Sequence, residues 1–201
     1  NNQEIIDRSN VIFLSVTPTV GNKILNDLNF NNKKIIISLI STIKLKKLKK
    51  LTKSKNICKA IPLPFIENLD GPIIISPKNK TAKRIFSKLG HVIEIKDEKM
   101  SYSFWSTSSV MAAYYEIYNS TKNWLKQKGL KDRVATDYVA ELFLALSKDA
   151  FVKKKIGYKK LVVESQTPKG LNMQVLKELK KVRFYDKFKQ SLENVHKRIK
   201  K

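Results

Sequence analysis

The chain has 201 residues, of which 42% are hydrophobic, and a formal net charge of +24. This length suffices for one large domain or two small ones, and the hydrophobic content can fill a core, so the chain should fold. A single cysteine, Cys58, excludes an internal disulfide. Because the sequence shows neither a signal peptide nor an apolar run of about twenty residues, we expect a cytoplasmic protein without a membrane anchor.

The positive charge comes almost entirely from lysine, because only five of the 41 basic residues are arginine. Proteins that read nucleic acids favour the planar fork of arginine. Lysine, asparagine and isoleucine are enriched together, as an AT-rich coding sequence would produce. We therefore interpret most of the charge, including the lysine runs in 44–50 and 153–155, as solvated helix surface and loop. A basic nucleic-acid-binding protein is kept as an alternative.

The first hundred residues contain five short β-branched runs with helix-like segments between several of them. The predicted strands are Val11–Val16, Lys34–Ile40, Ile57–Ile61, Pro72–Ser76 and His91–Ile95. Their spacing predicts an open parallel α/β sheet. Small polar residues after the second strand suit a helix N-cap at Ser41 or Thr42. Cys58 lies inside a predicted strand, which favours a buried thiol over a nucleophile.

The predicted sheet starts in the middle of a nucleotide-binding pattern, because no glycine-rich loop precedes its first strand. The motif GxGxxG does not occur in the chain, and residues 1–7 are too few to supply it. Either about sixty residues, the size of two βα units, precede this segment, or there is no pyrophosphate site. The sequence leaves both readings open.

After Asp97 the pattern changes to helical periodicity with almost no glycine. A helix that includes Tyr102 should run to Lys128 and end at Gly129, Asp132 should cap the next, and two more helices should cover 173–181 and 184–200. Aromatic and apolar residues at helical spacing are expected to pack in the core; they are Trp105, Met111, Tyr114, Tyr115 and Tyr118. The predicted fold class is therefore α/β plus all-α: a partial Rossmann-type parallel sheet in residues 1–98, then a helical domain in residues 99–201.

A loop in the helical half combines hydroxyl, proline and glycine residues before a helix start. The segment Thr167-Pro168-Lys169-Gly170 could present backbone amides to an anion at the positive end of that helix. An ordinary N-cap and turn explain the same residues. The loop alone does not decide between these readings.

The order of these segments resembles the pyrroline-5-carboxylate reductase family. The family's Val-Lys-Pro strand end resembles Val16-Thr17-Pro18, and its Ser-Ile-Ala-Ala-Gly resembles 38–42. Its Arg-Ala-Met-Pro-Asn-Thr-Pro segment resembles 59–64, its Ser-Gly-Ser-Gly-Pro-Ala-Tyr helix start resembles 106–112, and its Ser-Pro-Gly-Gly-Thr-Thr loop resembles 167–172. The resemblance runs from Ser9 almost to the end of the chain.

The resemblance implies a Rossmann domain for NADPH, or NADH, and a helical domain that forms an obligate homodimer, with assembly beyond the dimer left open. Members reduce a cyclic imine carboxylate, 1-pyrroline-5-carboxylate to proline, by hydride transfer from the nicotinamide. Neither a catalytic acid–base triad nor a metal is implied. The implied cofactor-binding residues are Val16, Thr17, Pro18, Ser41, Pro62 and Leu63. The implied substrate-binding residues are Ser106 and Ser108 with Thr167, Lys169, Gly170 and Asn172 of the partner's loop.

Three departures from the family pattern define a second hypothesis. Leu63 and a one-residue shortening replace a polar Asn-Thr pair, Lys169 replaces a glycine, and Leu171 replaces a threonine. A non-catalytic relative that keeps the dimer scaffold is therefore an alternative to an active reductase.

Overall fold

The computed structural model describes residues 1–200, which divide into two compact units. Unit 1 comprises Asn1–Trp105 with the end of the last helix from Ile199, and unit 2 comprises Ser106–Arg198. No helix within residues 1–200 is both long and apolar enough to cross a membrane.

Unit 1 contains a single sheet of five strands. They are β1 (Val11–Leu14), β2 (Ile35–Ser38), β3 (Ile57–Ile61), β4 (Pro72–Ser76) and β5 (His91–Glu94). The order of strands across the sheet is their order in the chain. All five strands lie where the sequence predicts them, and β3 and β4 have the predicted bounds.

The sheet is mostly parallel. β1 pairs parallel with β2, β2 with β3, and β4 with β5, but β3 and β4 are antiparallel. The expectation of a wholly parallel sheet is therefore wrong at this one pairing. Residues 62–71 contain only a short 3-10 helix, Pro64–Asn68, whereas a parallel crossover needs about a dozen residues or more, usually with a full helix.

Helices cover the sheet of unit 1 on both faces. They are α1 (Asn2–Arg8), α2 (Pro18–Ile24), α3 (Leu45–Thr52), α4 (Lys80–Phe86) and most of α5 (Glu98–Ser108). Successive strand residues point to opposite faces of the sheet. Ile36 and Ile37 accordingly belong to two different apolar clusters, and both isoleucines are fully buried. α3 begins at Leu45 and its N-cap is Lys44, so the predicted N-cap at Ser41 or Thr42 is wrong.

Unit 2 is entirely helical. After the end of α5 it contains α6 (Met111–Gln127), α7 (Asp132–Val152), a 3-10 turn (Lys154–Ile156), α8 (Tyr158–Glu164), α9 (Leu171–Lys181) and α10 (Phe184–Lys200). The predicted helix from Tyr102 to Lys128 is divided, since α5 ends at Ser108 and α6 begins at Met111. Gly129 ends the second part with φ of +93°, a left-handed conformation that favours glycine.

The aromatic residues of α6 are not core residues within this chain. Tyr114 is 38% exposed and Tyr115 is 54% exposed. Tyr118 stacks on Phe143 of α7, with ring centroids 4.5 Å apart, and its hydroxyl lies 2.9 Å from that of Tyr114. The periodicity correctly indicated an apolar face, but most of this face is uncovered in the single chain.

Candidate functional site

The six predicted cofactor-binding residues follow the carboxyl ends of three adjacent parallel strands. Val16, Thr17 and Pro18 follow β1, Ser41 follows β2, and Pro62 and Leu63 follow β3. The structure therefore places all six along one edge of the sheet, where open α/β sheets bind ligands. All six are partly or fully exposed, whereas Leu14, Ser38 and Ala60 of the preceding strands are buried. This edge is accessible to a cofactor.

The first two of these segments are packed tightly together. Gly21 of α2 is buried, and a Cβ atom there would lie 2.9 Å from Cδ1 of Ile40 and 3.4 Å from Cγ2 of Val16. The glycine therefore lets α2 approach the loop after β2 more closely than a side chain would permit. This contact fixes the spacing between the Val16–Pro18 turn and the loop that carries Ser41.

A buried lysine holds the loop between β2 and α3. Nζ of Lys59, in β3, donates to the carbonyl oxygens of Ser41 at 2.6 Å and Ile43 at 3.0 Å, and to Oε1 of Glu98 at 2.9 Å. These three bonds use all the donors of an ammonium group. Glu98 also accepts from the backbone N–H of Leu45 at 2.9 Å and so caps α3.

Lys59 is unusually deeply buried for a charged residue. Its side chain is only 2% exposed, and that of Glu98 is 15% exposed. Burial lowers the pKa of Lys59, and the hydrogen bond and charge of Glu98 oppose that shift. The ring of Trp105 covers the ammonium at 4.7 Å from Nζ to the ring centroid.

The sequence offered one indication of this arrangement, a lone lysine in an otherwise apolar strand. Its partners lie far away in the sequence, at positions 41, 43, 98 and 105, and no motif joins them. Sequence reasoning therefore missed Lys59 and Glu98.

Ser106 and Ser108, two predicted substrate-binding residues, lie at the end of α5 just before α6. Ser106 is buried, and its Oγ lies 3.2 Å from Nδ1 of His196 on α10. The N-cap residue of α6, Val110, makes no side-chain capping bond, and the N-terminus of a helix presents backbone N–H groups of the kind that suit a carboxylate. His196 is a third residue that sequence reasoning did not assign. It gives the hydroxyl of Ser106 a fixed partner.

The other predicted substrate residues, Thr167, Lys169, Gly170 and Asn172, form the loop and first turn of α9. Lys169 has φ of +62°, in the left-handed region, where the family pattern has glycine. A Cβ on Gly170 would lie 2.1 Å from Oγ1 of Thr167, so a side chain there would require that hydroxyl to move. Asn172 donates to the carbonyl of Ser165 at 2.9 Å. Because the resemblance assigns this loop to the partner subunit's site, its meeting with Ser106 and Ser108 stays a prediction.

The lone thiol is buried, as predicted. Cys58 is fully buried, and burial raises its pKa to about 12. A thiol with this pKa is protonated at neutral pH and is therefore a poor nucleophile.

No family model and no curated sequence matches this chain, but solved structures match it over its full length. 1-Pyrroline-5-carboxylate reductase from Streptococcus pyogenes superimposes with a TM-score of 0.86 at 17% identity, covering 100% of this chain and 79% of that one. Plasmodium falciparum pyrroline carboxylate reductase, solved with NADP bound, gives 0.85 at 22% identity, with coverage of 100% and 79%. The Coxiella burnetii reductase gives 0.82 at 20% identity, with coverage of 100% and 78%. The chain therefore has the fold of these reductases, which confirms the predicted resemblance and fold class.

Proposed function

We propose that this protein is an NAD(P)H-dependent imine reductase of the pyrroline-5-carboxylate reductase type. The observation that carries the proposal is the likeness in fold to three such reductases over the whole chain. One of them was solved with NADP bound, and this chain has accessible residues at the sheet edge where open α/β folds bind ligands. Its substrate is a cyclic imine carboxylate, either 1-pyrroline-5-carboxylate or a related compound.

In this proposal the exposed sheet edge holds the cofactor through Val16, Thr17, Pro18, Ser41, Pro62 and Leu63. The nicotinamide, when bound, supplies the hydride. The protein binds and orients the imine, which is the main requirement for hydride transfer. Ser106 and Ser108 contact the imine from one protomer, while the loop of Thr167, Lys169, Gly170 and Asn172 from the other binds its carboxylate through backbone amides.

The surface of the chain supports a homodimer through the helical half. The chain exposes 14714 Å², whereas two separate compact bodies of half its mass of 23.2 kDa would together expose about 11,700 Å². If each subunit buried this excess of about 3,000 Å², the dimer would bury about 6,000 Å² in total, which lies at the top of the range for obligate dimers.

The apolar residues that contribute to this excess lie mainly on unit 2. α7 has an exposed stripe at a spacing of four residues, formed by Val134, Tyr138, Leu142 and Leu146. An apolar groove of about 940 Å³ lies between α6, α9 and α10 and is lined by residues such as Ile117, Phe184 and Phe188. Exposed apolar surface of this extent is typical of an interface.

The decisive experiment measures NADPH oxidation by the complete gene product with 1-pyrroline-5-carboxylate. We expect imine-dependent oxidation of NADPH with formation of proline, and an increased KM for the imine in Ser106→Ala and Thr167→Ala. Absence of any binding of NADPH or NADH to the complete gene product would exclude the proposal.

Two structural observations favour the non-catalytic alternative. Lys169 occupies a left-handed position with its side chain exposed, in the loop that should approach the substrate carboxylate, and Leu171 is 80% exposed at the start of α9. A dimeric relative without activity would tolerate both the exposed lysine in this loop and the exposed leucine after it. Turnover that is abolished by substitutions at Ser106 or Thr167 would exclude this alternative.

A further inference from the structure

A buried ion pair lies directly beneath the proposed cofactor edge and contacts it only through backbone atoms. Lys59 donates to the carbonyls of Ser41 and Ile43, and its partner Glu98 accepts from the N–H of Leu45. The pair therefore binds the β2–α3 loop at Ser41 and Ile43, and the first residue of α3, Leu45. Neither side chain was assigned a role by the resemblance.

The pair determines which backbone groups the loop presents. The peptide bonds after Ser41 and Ile43 are trans, so the N–H groups of Thr42 and Lys44 point away from the carbonyls that Lys59 draws toward itself. Lys59 is 2% exposed and lies inside the sheet, while Thr42 and Lys44 are exposed. The loop is thus held with two carbonyls facing inward and two amide donors facing outward.

The burial of the pair argues against a general contribution to stability. Buried ion pairs often contribute no net stability, because the cost of desolvating both charges offsets their attraction. Apolar residues of similar volume could fill the same space. All three donors of the buried ammonium bind the β2–α3 loop or Glu98, the residue that caps α3. A role in fixing the conformation of this loop explains the pair better than a contribution to stability does.

We propose that Lys59 and Glu98 are positioning residues that hold the β2–α3 loop in the conformation that binds the nicotinamide cofactor. They act through the backbone of residues 41–45 and do not contact the cofactor themselves. The inference rests on the proposed function, because that function makes this loop part of the cofactor site.

The test combines two measurements on the complete gene product. Hydrogen exchange reports the protection of the Leu45 amide and its neighbours, and titration with NADPH reports the dissociation constant of the cofactor. In Lys59→Met we expect faster exchange at 41–45 and an NADPH Kd raised about tenfold or more, the loss expected for hydrogen bonds to a charged group. Lys59→Arg keeps the charge and should restore most of the affinity.

Two controls separate positioning from general destabilisation. Lys83→Met removes the ion pair to Glu94, which has a similar length of 2.8 Å but leaves Lys83 55% exposed. Ile74→Val weakens the buried β4 strand without altering the loop. Neither control should change the NADPH Kd or the exchange of residues 41–45 relative to the rest of the sheet.

The two proposals fail in different ways. If the wild-type gene product binds neither NADPH nor NADH, the proposed function is wrong, and with it the cofactor role of the pair. If the wild type binds NADPH and Lys59→Met binds it equally well with unchanged exchange at 41–45, the positioning role alone is overturned. If Lys59→Met does not fold, Glu98→Gln provides the same test, since it removes the charge and retains the shape.

Discussion

Replacing Leu146 by glutamate should dissociate the proposed dimer without unfolding the protomer. Leu146 is 56% exposed in the single chain, so more than half of its side chain makes no contact there. Val134, Tyr138 and Leu142 lie on the same stripe of α7 and are also exposed. A charge at position 146 therefore has little effect on the protomer and a large effect on any partner that covers the stripe.

The size of the effect follows from this exposure. Complete burial of a leucine side chain contributes about 2 kcal/mol, so the exposed fraction accounts for about 1 kcal/mol. In a two-fold dimer each patch occurs twice, and Leu146→Ala should thus cost about 2 kcal/mol, or roughly 30-fold in the dimer Kd. Leu146→Glu adds the burial of two unpaired carboxylates, each of which costs several kcal/mol.

Sedimentation equilibrium over a range of protein concentrations measures these changes, and circular dichroism checks that each variant is folded. The order of dimer stability should be wild type, then Leu146→Ala, then Leu146→Glu. Lys148→Glu is a matched control, because it places the same side chain at an exposed, already charged position of the same helix. A Leu146→Glu variant as dimeric as the wild type, or a wild type that is monomeric throughout, would refute the reasoning.

Four further results are expected. Thiol reagents should label Cys58 only after unfolding, and rapid labelling of the native protein would contradict its burial. Because burial raises the pKa of the thiol from 9.0 to about 12, its contribution to the stability of the fold is complete below pH 9 and is lost as the pH rises toward 12. Urea denaturation should show Lys169→Gly to be more stable than the wild type by about 0.5–1 kcal/mol. The reason is that removing the strain of a side chain at a left-handed φ gains more free energy than the extra backbone entropy of glycine in the unfolded state costs. A destabilised variant would argue against the strained φ. Gly170→Ala should lose about 1–3 kcal/mol in the same assay, because its Cβ overlaps Oγ1 of Thr167, and unchanged stability would show that the loop adapts. If the charge of the chain serves nucleic acid, any affinity for DNA should fall steeply with salt; a flat response or no affinity would count against that alternative.

Much of the sheet could be predicted because its signals are local. The β-branched run of β3 stands between polar residues and a proline, and that of β4 between Gly71 and Pro77, so both strands begin and end as predicted. The direction of β4 was missed, although the sequence carried a signal for it. Only ten residues, 62–71, separate the two predicted strands, which is fewer than a parallel crossover needs.

The remaining differences arise from contacts between distant residues. The start of α3 depends on a cap from Glu98, which lies 53 positions from Leu45, whereas the nearby Ser41 and Thr42 do not cap it. The aromatic face of α6 was expected in the core because periodicity identifies an apolar face but not what covers it. In both cases, the start of α3 and the aromatic face of α6, the local sequence pattern does not identify the contact that decides the structure.

The agreement between strand order and chain order in unit 1 has a consequence for synthesis. Each strand from β2 to β5 pairs with the strand made just before it. As the nascent chain leaves the ribosome, each new strand therefore finds its partner already present, across a short connection with a low closure entropy. No strand has to wait for a distant one to be inserted beside it. A chain interrupted at any point after β2 leaves a smaller sheet with an open edge, and not a sheet with a gap.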